Sequence, residues 1–405
     1  MALSLVTQEL SLSEFELIRH LPSNPLTFIR NGQGIIGWGE AVRLESSAAQ
    51  GRIQDLANQW RALVATTVVT DPVALPGTGL VAFGTLAFDD SSSAASTLIV
   101  PKVILGSRDG RVWLTTVDGA DAEDFWSKPI DYNQSATTSF ANGQVSPSQF
   151  KANVEAALAA IASGKVEKLV LARDISARVT TEFDLRPALA RLAQQYPSCW
   201  VYSVDGMFGA SPELLVRVSH GQVSARVLAG TAGRGTDPGV DQAIALALAE
   251  SEKNKTEHAF AVNSLVDALA PFCEHVDADA TPFSLALPNL WHLASDVHGV
   301  LKQNASVLDL AAALHPTAAV AGTPTKNALQ AIAQIEQLDR GRYAGPIGWI
   351  GADGDGEWAI ALRGAQLENE TIRAFAGCGI VAGSQADAEL EETELKFRPI
   401  REALA

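Results

Sequence analysis

Two rhythms of apolar positions run along this chain. In the first third, short apolar and β-branched blocks punctuated by glycine fall at 32–44, 79–88, 96–105 and 111–117, and they predict strands. One helix interrupts them over 50–64, where Ile53, Leu56, Trp60 and Leu63 recur at helical spacing. No chemical constellation stands out in this third, which reads as scaffold. The last twenty or so residues keep the other rhythm. Ala386, Leu390, Thr393, Phe397, Ile400 and Leu404 recur at alternating steps of four and three, which predicts a helix over 385–405 with one mostly apolar face.

Between these ends the two periods alternate. A polar, turn-rich stretch at 127–145 reads as a linker or surface loop. Ser146 then caps a helix with Pro147 at its first position, and Gly164 ends it. A strand over 166–173 carries Lys168 among apolar neighbours. A helix over 185–195 follows, then strands over 199–207 and 214–219 with a turn at 208–213 that ends on Glu213. The strand 223–228 leads into Ala229-Gly-Thr-Ala-Gly-Arg-Gly, whose glycines resemble a phosphate cradle without fitting a P-loop or dinucleotide fingerprint and read equally as a loop that lets backbone approach a small substrate. The stretch 243–270 is mostly helical and carries Glu257 and His258, and a strand holds His292 and His298. A short helix over 308–314 ends at the turn His315-Pro316. A helix over 325–338, a hairpin turn at Asp353-Gly354-Asp355-Gly356, and a strand over 357–367 with Arg363 among apolar residues complete the pattern.

Composition narrows the function. The 405 residues are 47% hydrophobic and 19% charged, which fits a globular chain. A net charge of −16 argues against nucleic-acid binding, so a small anionic ligand would need the few cations, or a metal, concentrated locally. Cys199, Cys273 and Cys378 are far apart, which argues against a disulfide framework or structural zinc and suits a reducing cytoplasm. Neither a signal peptide nor a run of about 18 apolar residues is visible, so no membrane role is expected.

Chemistry then concentrates on few residues. A lysine desolvated in a cleft has a lowered pKa and can act as a base, which makes Lys168 a candidate. A partly buried carboxyl stays protonated and can act as an acid, as Glu213 could. Arg363 fits bidentate carboxylate recognition or a buried ion pair. On the terminal helix Glu389, Glu392 and Lys396 line one flank, where two carboxylates and an ammonium can hold a hard cation beside an anion. On its own such a flank is an ordinary solvated helix face. The glycine-rich run 377–384 just ahead of it can bring backbone N–H groups close to that anion.

The motifs together resemble the chorismate-utilising enzymes, which include isochorismate, salicylate, anthranilate and aminodeoxychorismate synthases. The matching stretches are Lys168-Leu-Val-Leu-Ala-Arg, Gly209-Ala-Ser-Pro-Glu, Ala229-Gly-Thr-Ala-Gly-Arg-Gly, Thr256-Glu-His, His315-Pro-Thr-Ala-Ala-Val-Ala-Gly-Thr-Pro, Tyr343-Ala-Gly-Pro-Ile-Gly-Trp, Gly356-Glu-Trp-Ala-Ile-Ala-Leu-Arg, and Gly377-Cys-Gly-Ile-Val-Ala-Gly-Ser with its Glu-x-x-Glu-x-x-x-Lys tail. They run in order from about 150 to 398.

The resemblance implies an α+β fold, a large single domain over 1–405 of layered, mostly antiparallel sheets flanked by helices, with a scaffold part at 1–145 and a catalytic part at 146–405. Its isochorismate-synthase branch implies Lys168 as the base that activates water for attack at C2 and Glu213 as the acid that assists loss of the C4 hydroxyl. It implies Mg²⁺ on Glu257, Glu392 and Glu389, and chorismate held by Gly230, Thr231, His292, His315, Arg363, Gly377 and Lys396. It further implies a monomer without a glutamine amidotransferase partner, and a product that feeds menaquinone or siderophore synthesis. A salicylate synthase, which adds pyruvate elimination, is the alternative. Ala229, where one type of aminodeoxychorismate synthase has a lysine, counts against that activity.

Overall fold

The computed structural model describes residues 3–12, 15–122, 139–180, 183–235, 237–286 and 290–405. Most of the loop expected at 127–145 lies outside the described residues. The chain is a mixture of helices and mostly antiparallel sheet, as expected, and it divides into two compact units. The first comprises Met1–Glu213, His315–Ala352 and Ala359–Ala405, and the second Leu214–Leu314 with Asp353–Trp358.

The first unit is built on a 13-stranded sheet. Near one end of it Lys168–Arg178 and Thr371–Val381 pair antiparallel along their whole length, from Lys168 opposite Val381 to Arg178 opposite Thr371. In space there follow Gly364–Glu368, Met207–Ser211, Trp200–Val204, Leu26–Arg30 and Gln33–Trp38, and then Val103–Arg108, Arg111–Val117, Ser4–Leu10 and Val68–Thr70. Only the last pairing is parallel among those described. The glycine-punctuated blocks of the first third are therefore strands, and their hydrophobic sides are buried: Ile29, Ile36, Leu105 and Leu114 share a core with Leu189 and Leu192 of the helix Arg186–Gln195 and Phe397 and Ile400 of the helix Ala386–Ala403. Four further strands of the unit, Pro346–Gly351, Val81–Thr85, Ser96–Val100 and Val42–Ser46, belong to a second sheet, and the first two pack on Trp200–Val204.

Local signals hold where they were strong. The Ser146 side chain accepts the Gln149 N–H at 3.2 Å, and Pro147 opens the helix Pro147–Ala162. Such a cap contributes about 1 kcal/mol. On the terminal helix Thr393, Phe397, Ile400 and Leu404 are buried, as the four-three rhythm requires.

Three local expectations change. The turn expected at 208–213 is mostly strand, Met207–Ser211, because it is paired on both sides. The strand expected through 357–367 is broken: Gly356–Ile360 and Gly364–Glu368 are separate strands, and Arg363 between them has φ 49°. The loop expected from Ala229 is instead the continuation of the strand Gln222–Gly233.

The second unit carries Leu214–Ser219, Gln222–Gly233, Leu290–Leu301 and Cys273–Ala278 as antiparallel neighbours, with Phe283–Ala286 also paired to Leu290–Leu301. The helices Pro238–Glu250, Glu252–Leu269 and Val307–Leu314 accompany them. The Asp353–Asp355 stretch is a turn, and Asp355 accepts the N–H groups of His220 and Gly221. Those two bonds use the carboxylate for structure. Cys199, Cys273 and Cys378 are free thiols. Among the described residues no helix is long and apolar enough to cross a membrane.

Candidate active site

Lys168 opens its strand, and its neighbours decide its chemistry. It shares a face with Val170 and Ala172, since side chains alternate along a strand. Its stem lies across Gly379: a Cβ added there would sit 2.9 Å from Lys168 Cε and 3.6 Å from Nζ. Burial pulls the Lys168 ammonium below the ordinary lysine range. Glu213 opposes that shift, Lys396 adds to it, and Glu392 opposes it.

Glu213 follows directly on the strand Met207–Ser211. Its backbone is tied at both ends: Ser211 Oγ accepts the Glu213 N–H at 3.2 Å, and the Glu213 carbonyl accepts the Ile360 N–H at 3.0 Å. Burial raises its carboxyl above the usual carboxylate range, against the pull of Arg363, Lys168 and Lys396. Three cations thus converge on one carboxyl in a chain whose net charge is −16. Desolvation still dominates, so the protonated form is favoured more than in an ordinary glutamate even though the surroundings are cationic.

Arg363 owes its position to a row of small residues. Tyr202 pairs with Gly209, which pairs with Gly364, so one tyrosine ring spans two glycines on adjacent strands. A Cβ at Gly209 would lie 2.6 Å from the Arg363 carbonyl oxygen and 2.6 Å from the Tyr202 hydroxyl. A Cβ at Gly364 would lie 2.1 Å from that hydroxyl. The room they leave lets Tyr202 donate to the Leu362 carbonyl at 2.9 Å, at the kink where the chain turns into Arg363. Spacing does not single out Tyr202 in the sequence; the two glycines that share its row, Gly209 and Gly364, are the signal that points to it.

The terminal helix brings further charges to this site. Arg173, buried on the opposite face of the base strand from Lys168, donates to Thr393 Oγ1 at 2.7 Å and lies over the Phe397 ring. That contact seats the helix. One flank then presents Glu389, Glu392 and Lys396. Lys396 Nζ donates to the Gly377 carbonyl at 2.8 Å and to Glu392. Glu389 Oε2 is buried with no hydrogen-bond partner. A carboxyl oxygen buried without a partner is costly, and it fits a cation that supplies the missing contact. Gly377 itself sits inside the strand Thr371–Val381, opposite Ala172, so the glycine run is sheet up to Val381.

His315 lies apart from that flank. Its Nε2–H donates to the Phe88 carbonyl at 2.8 Å, Nδ1 is buried without a partner, and burial takes the ring down to about 4. It is a neutral imidazole at neutral pH.

The second unit holds the other expected residues. The pairing of Gln222–Gly233 with Leu290–Leu301 slips between Leu228 and Thr231, and Gly230 there has φ 84°, a conformation that suits glycine. His258 pins this bulge, donating Nδ1–H to the Ala229 carbonyl at 3.0 Å and accepting from Ser295 Oγ at 2.9 Å through Nε2. His258 is thus structural. His292 is half-buried and stands opposite Thr231. Glu257 is on the helix Glu252–Leu269, but its side chain, like that of Thr231, lies outside the described residues. Arg234, in the same glycine-rich stretch, is paired with Asp241, which also accepts the Trp291 N–H at 2.9 Å. Among the described residues no group of three His, Cys, Asp or Glu side chains forms a metal cluster.

The site thus pairs a desolvated lysine with a buried carboxyl amid gathered cations, which is the equipment of acid–base chemistry on an anion. Residues 6–405 match the model of the chorismate binding enzymes, and the chain belongs to that family. It is 37% identical over 297 residues to the isochorismate synthase DhbC of Bacillus subtilis, covering 69% of this chain and 75% of that protein. It is 38% identical over 344 residues to a putative isochorismate synthase MenF of Mycobacterium tuberculosis, covering 81% and 87%. Among solved structures, a putative 2,3-dihydroxybenzoate-specific isochorismate synthase, DhbC from Bacillus anthracis, superimposes with a TM-score of 0.73 at 29% identity, covering 96% of this chain and 98% of that one.

Proposed function

We propose that this protein is an isochorismate synthase, an isomerase that converts chorismate to isochorismate with water as both nucleophile and leaving group. The observation that carries the reading is the opposed displacement of two neighbouring groups: Lys168 is held below its ordinary range and Glu213 above its own. A neutral amine beside a neutral carboxylic acid is the protonation state this reaction needs. Lys168 takes a proton from water as its oxygen bonds to C2. The ring double bonds shift, the C4–O bond breaks, and Glu213 gives its proton to the departing hydroxyl, which leaves as water. The gain and loss of water balance, and the return of one proton from Lys168 to Glu213 resets the site.

The acidic ends of the substrate call for cations. Arg363 and Lys396, with the backbone around Gly377, are the groups proposed to hold the enolpyruvyl carboxylate. Gly230, Thr231, His292 and His315 are the proposed further lining. Glu389 and Glu392 fit a magnesium ion, with Glu257 added by family resemblance. Such an ion would hold and polarise the ring carboxylate and offset its charge. Because water is the nucleophile, no ammonia-supplying partner is needed.

The test is a product-resolved incubation with chorismate and Mg²⁺. Isochorismate is the expected product. Salicylate together with pyruvate would replace this reading by a salicylate synthase, and unreacted chorismate would end both.

A further inference from the structure

The strand that carries Lys168 lacks a continuous neighbour on one edge. Beside Lys168 and Leu169 lies the two-residue strand Gly322–Thr323, and beside Ile175 and Ser176 lies Ala141–Asn142. The edge groups between them find other partners. The Val170 N–H donates to the Ala321 carbonyl at 2.9 Å, and Gly143 N–H donates to the Asp174 carbonyl at 3.1 Å. Two further edge groups meet a buried ion pair. The Ala172 N–H donates to Glu336 Oε2 at 2.8 Å, and the Val170 carbonyl accepts from an Arg340 amino group at 2.7 Å. Arg340 also donates through Nη1 to the Val320 carbonyl at 2.9 Å, in the segment that supplies Gly322–Thr323, and binds Glu336 through Nε and Nη2. The pair is 1–2% exposed, and the guanidinium lies over Phe88 at 4.3 Å.

We infer that Glu336 and Arg340 are positioning residues for the base: side by side they stand in for the absent strand beside Val170 and Ala172, and so fix where Lys168 points. A buried ion pair is weak support for stability, since apolar residues of like volume often serve as well. What an apolar pair cannot do is present one acceptor and one donor at strand spacing to the edge of a sheet. The contacts fall on Val170 and Ala172, which share the face of Lys168, and on the segment paired to Lys168 itself. Losing them lets the start of the strand move and water reach the Lys168 amine, which Glu213, Lys396 and Glu392 otherwise face.

The inference rests on the reading of Lys168 as the base, and the experiment separates the two. The double variant Glu336→Leu/Arg340→Met is compared with the wild-type protein by thermal unfolding, by acetic-anhydride labelling of Lys168 against pH read by mass spectrometry, and by turnover of chorismate with Mg²⁺. The expected result is a folded protein whose Lys168 labels with a midpoint moved toward ordinary lysine, with kcat down by about tenfold or more and KM within about threefold. Glu336→Gln, which keeps an oxygen for the Ala172 N–H, is expected to recover most of that kcat loss. A folded double variant with wild-type labelling and kcat overturns the inference. Should it not fold, Arg340→Lys is read the same way, and unchanged labelling overturns it too. A wild-type protein that labels as expected yet leaves chorismate unchanged refutes the proposed activity and not the clamp.

Discussion

The Lys168 side chain crosses Gly379 so closely that a single added carbon on Gly379 would lie 2.9 Å from Lys168 Cε. The two residues are on adjacent strands, with Gly379 opposite Val170. Gly379→Ala must therefore push the amine away from its present seat, while the strand register and the buried core stay as they are. The expected outcome is a folded enzyme with kcat reduced by about tenfold and a smaller change in KM. Steady-state kinetics on chorismate check it, and an unchanged kcat would mean that the amine's position is not critical.

The opposed shifts of Lys168 and Glu213 predict a bell-shaped pH profile. On the acid side the rate falls as Lys168 takes up a proton, and on the alkaline side it falls as Glu213 loses one. Because Lys168 is lowered and Glu213 raised, both limbs lie closer to neutrality than ordinary lysine and glutamate would allow. Their coupling makes the measured values properties of the pair. Glu213→Gln removes the alkaline fall and leaves a residual rate, lower by about 10²–10⁴, that rises to a plateau. Retention of the alkaline limb in that variant would assign it to another group.

The same shift has a thermodynamic sign. Folding lowers the Lys168 value from 10.5, so between the folded and unfolded values the unfolded chain binds more protons and stability rises with pH. The penalty is fully present below the folded value and gone above 10.5. Lys168→Met should thus raise Tm at neutral pH while abolishing activity, and the gain should fade as pH climbs through the lysine range. Calorimetry at pH 7 and near 11 distinguishes this from a pH-independent packing effect.

The row Tyr202–Gly209–Gly364 predicts a cost of a different kind. Gly209→Ala puts a carbon 2.6 Å from the Arg363 carbonyl oxygen and the Tyr202 hydroxyl, against backbone that cannot swing aside. Overpacking of this sort destabilises by about 1–3 kcal/mol. Denaturant unfolding should register that loss, and KM should rise because Arg363 sits on the displaced backbone. Tyr202→Phe tests the same row more gently, removing only the bond to the Leu362 carbonyl.

How much of this was legible in the sequence follows from how local each feature is. The Ser146 cap and the terminal helix depend on residues within a turn or two of each other, and both were read from spacing. Lys168 and Glu213 stand out as candidate base and acid and take their roles from the motif series, and their displacement depends on burial that no spacing encodes. The stretch at Phe208 to Ser211 resembles a turn in composition and becomes strand because partners from distant parts of the chain, Trp200–Val204 and Gly364–Glu368, flank it. Arg363 sits in a break at φ 49° because Tyr202 ties down the preceding carbonyl. Glu336 and Arg340 are i and i+4 near a helix end, where charged residues are ordinarily solvated. Only the incomplete edge of the Lys168 strand gives them a buried task.

The terminal helix supplies the test of the metal. Glu389 Oε2 is buried and unpartnered, and Glu392, a turn further on, is neutralised by Lys396. If the two carboxylates receive Mg²⁺, the ion supplies the contact that Glu389 Oε2 lacks, and chelation should abolish turnover. Glu392→Gln removes one charged ligand and leaves Lys396 without its carboxylate, so the Mg²⁺ concentration for half-maximal activity should rise by about tenfold or more. Glu389→Gln should weaken Mg²⁺ binding, measured calorimetrically without substrate, and raise Tm in metal-free buffer, because an amide relieves the unpaired buried oxygen at lower cost than a carboxylate. Metal-free stabilisation with unchanged Mg²⁺ affinity would make Glu389 a strained structural acid and not a ligand.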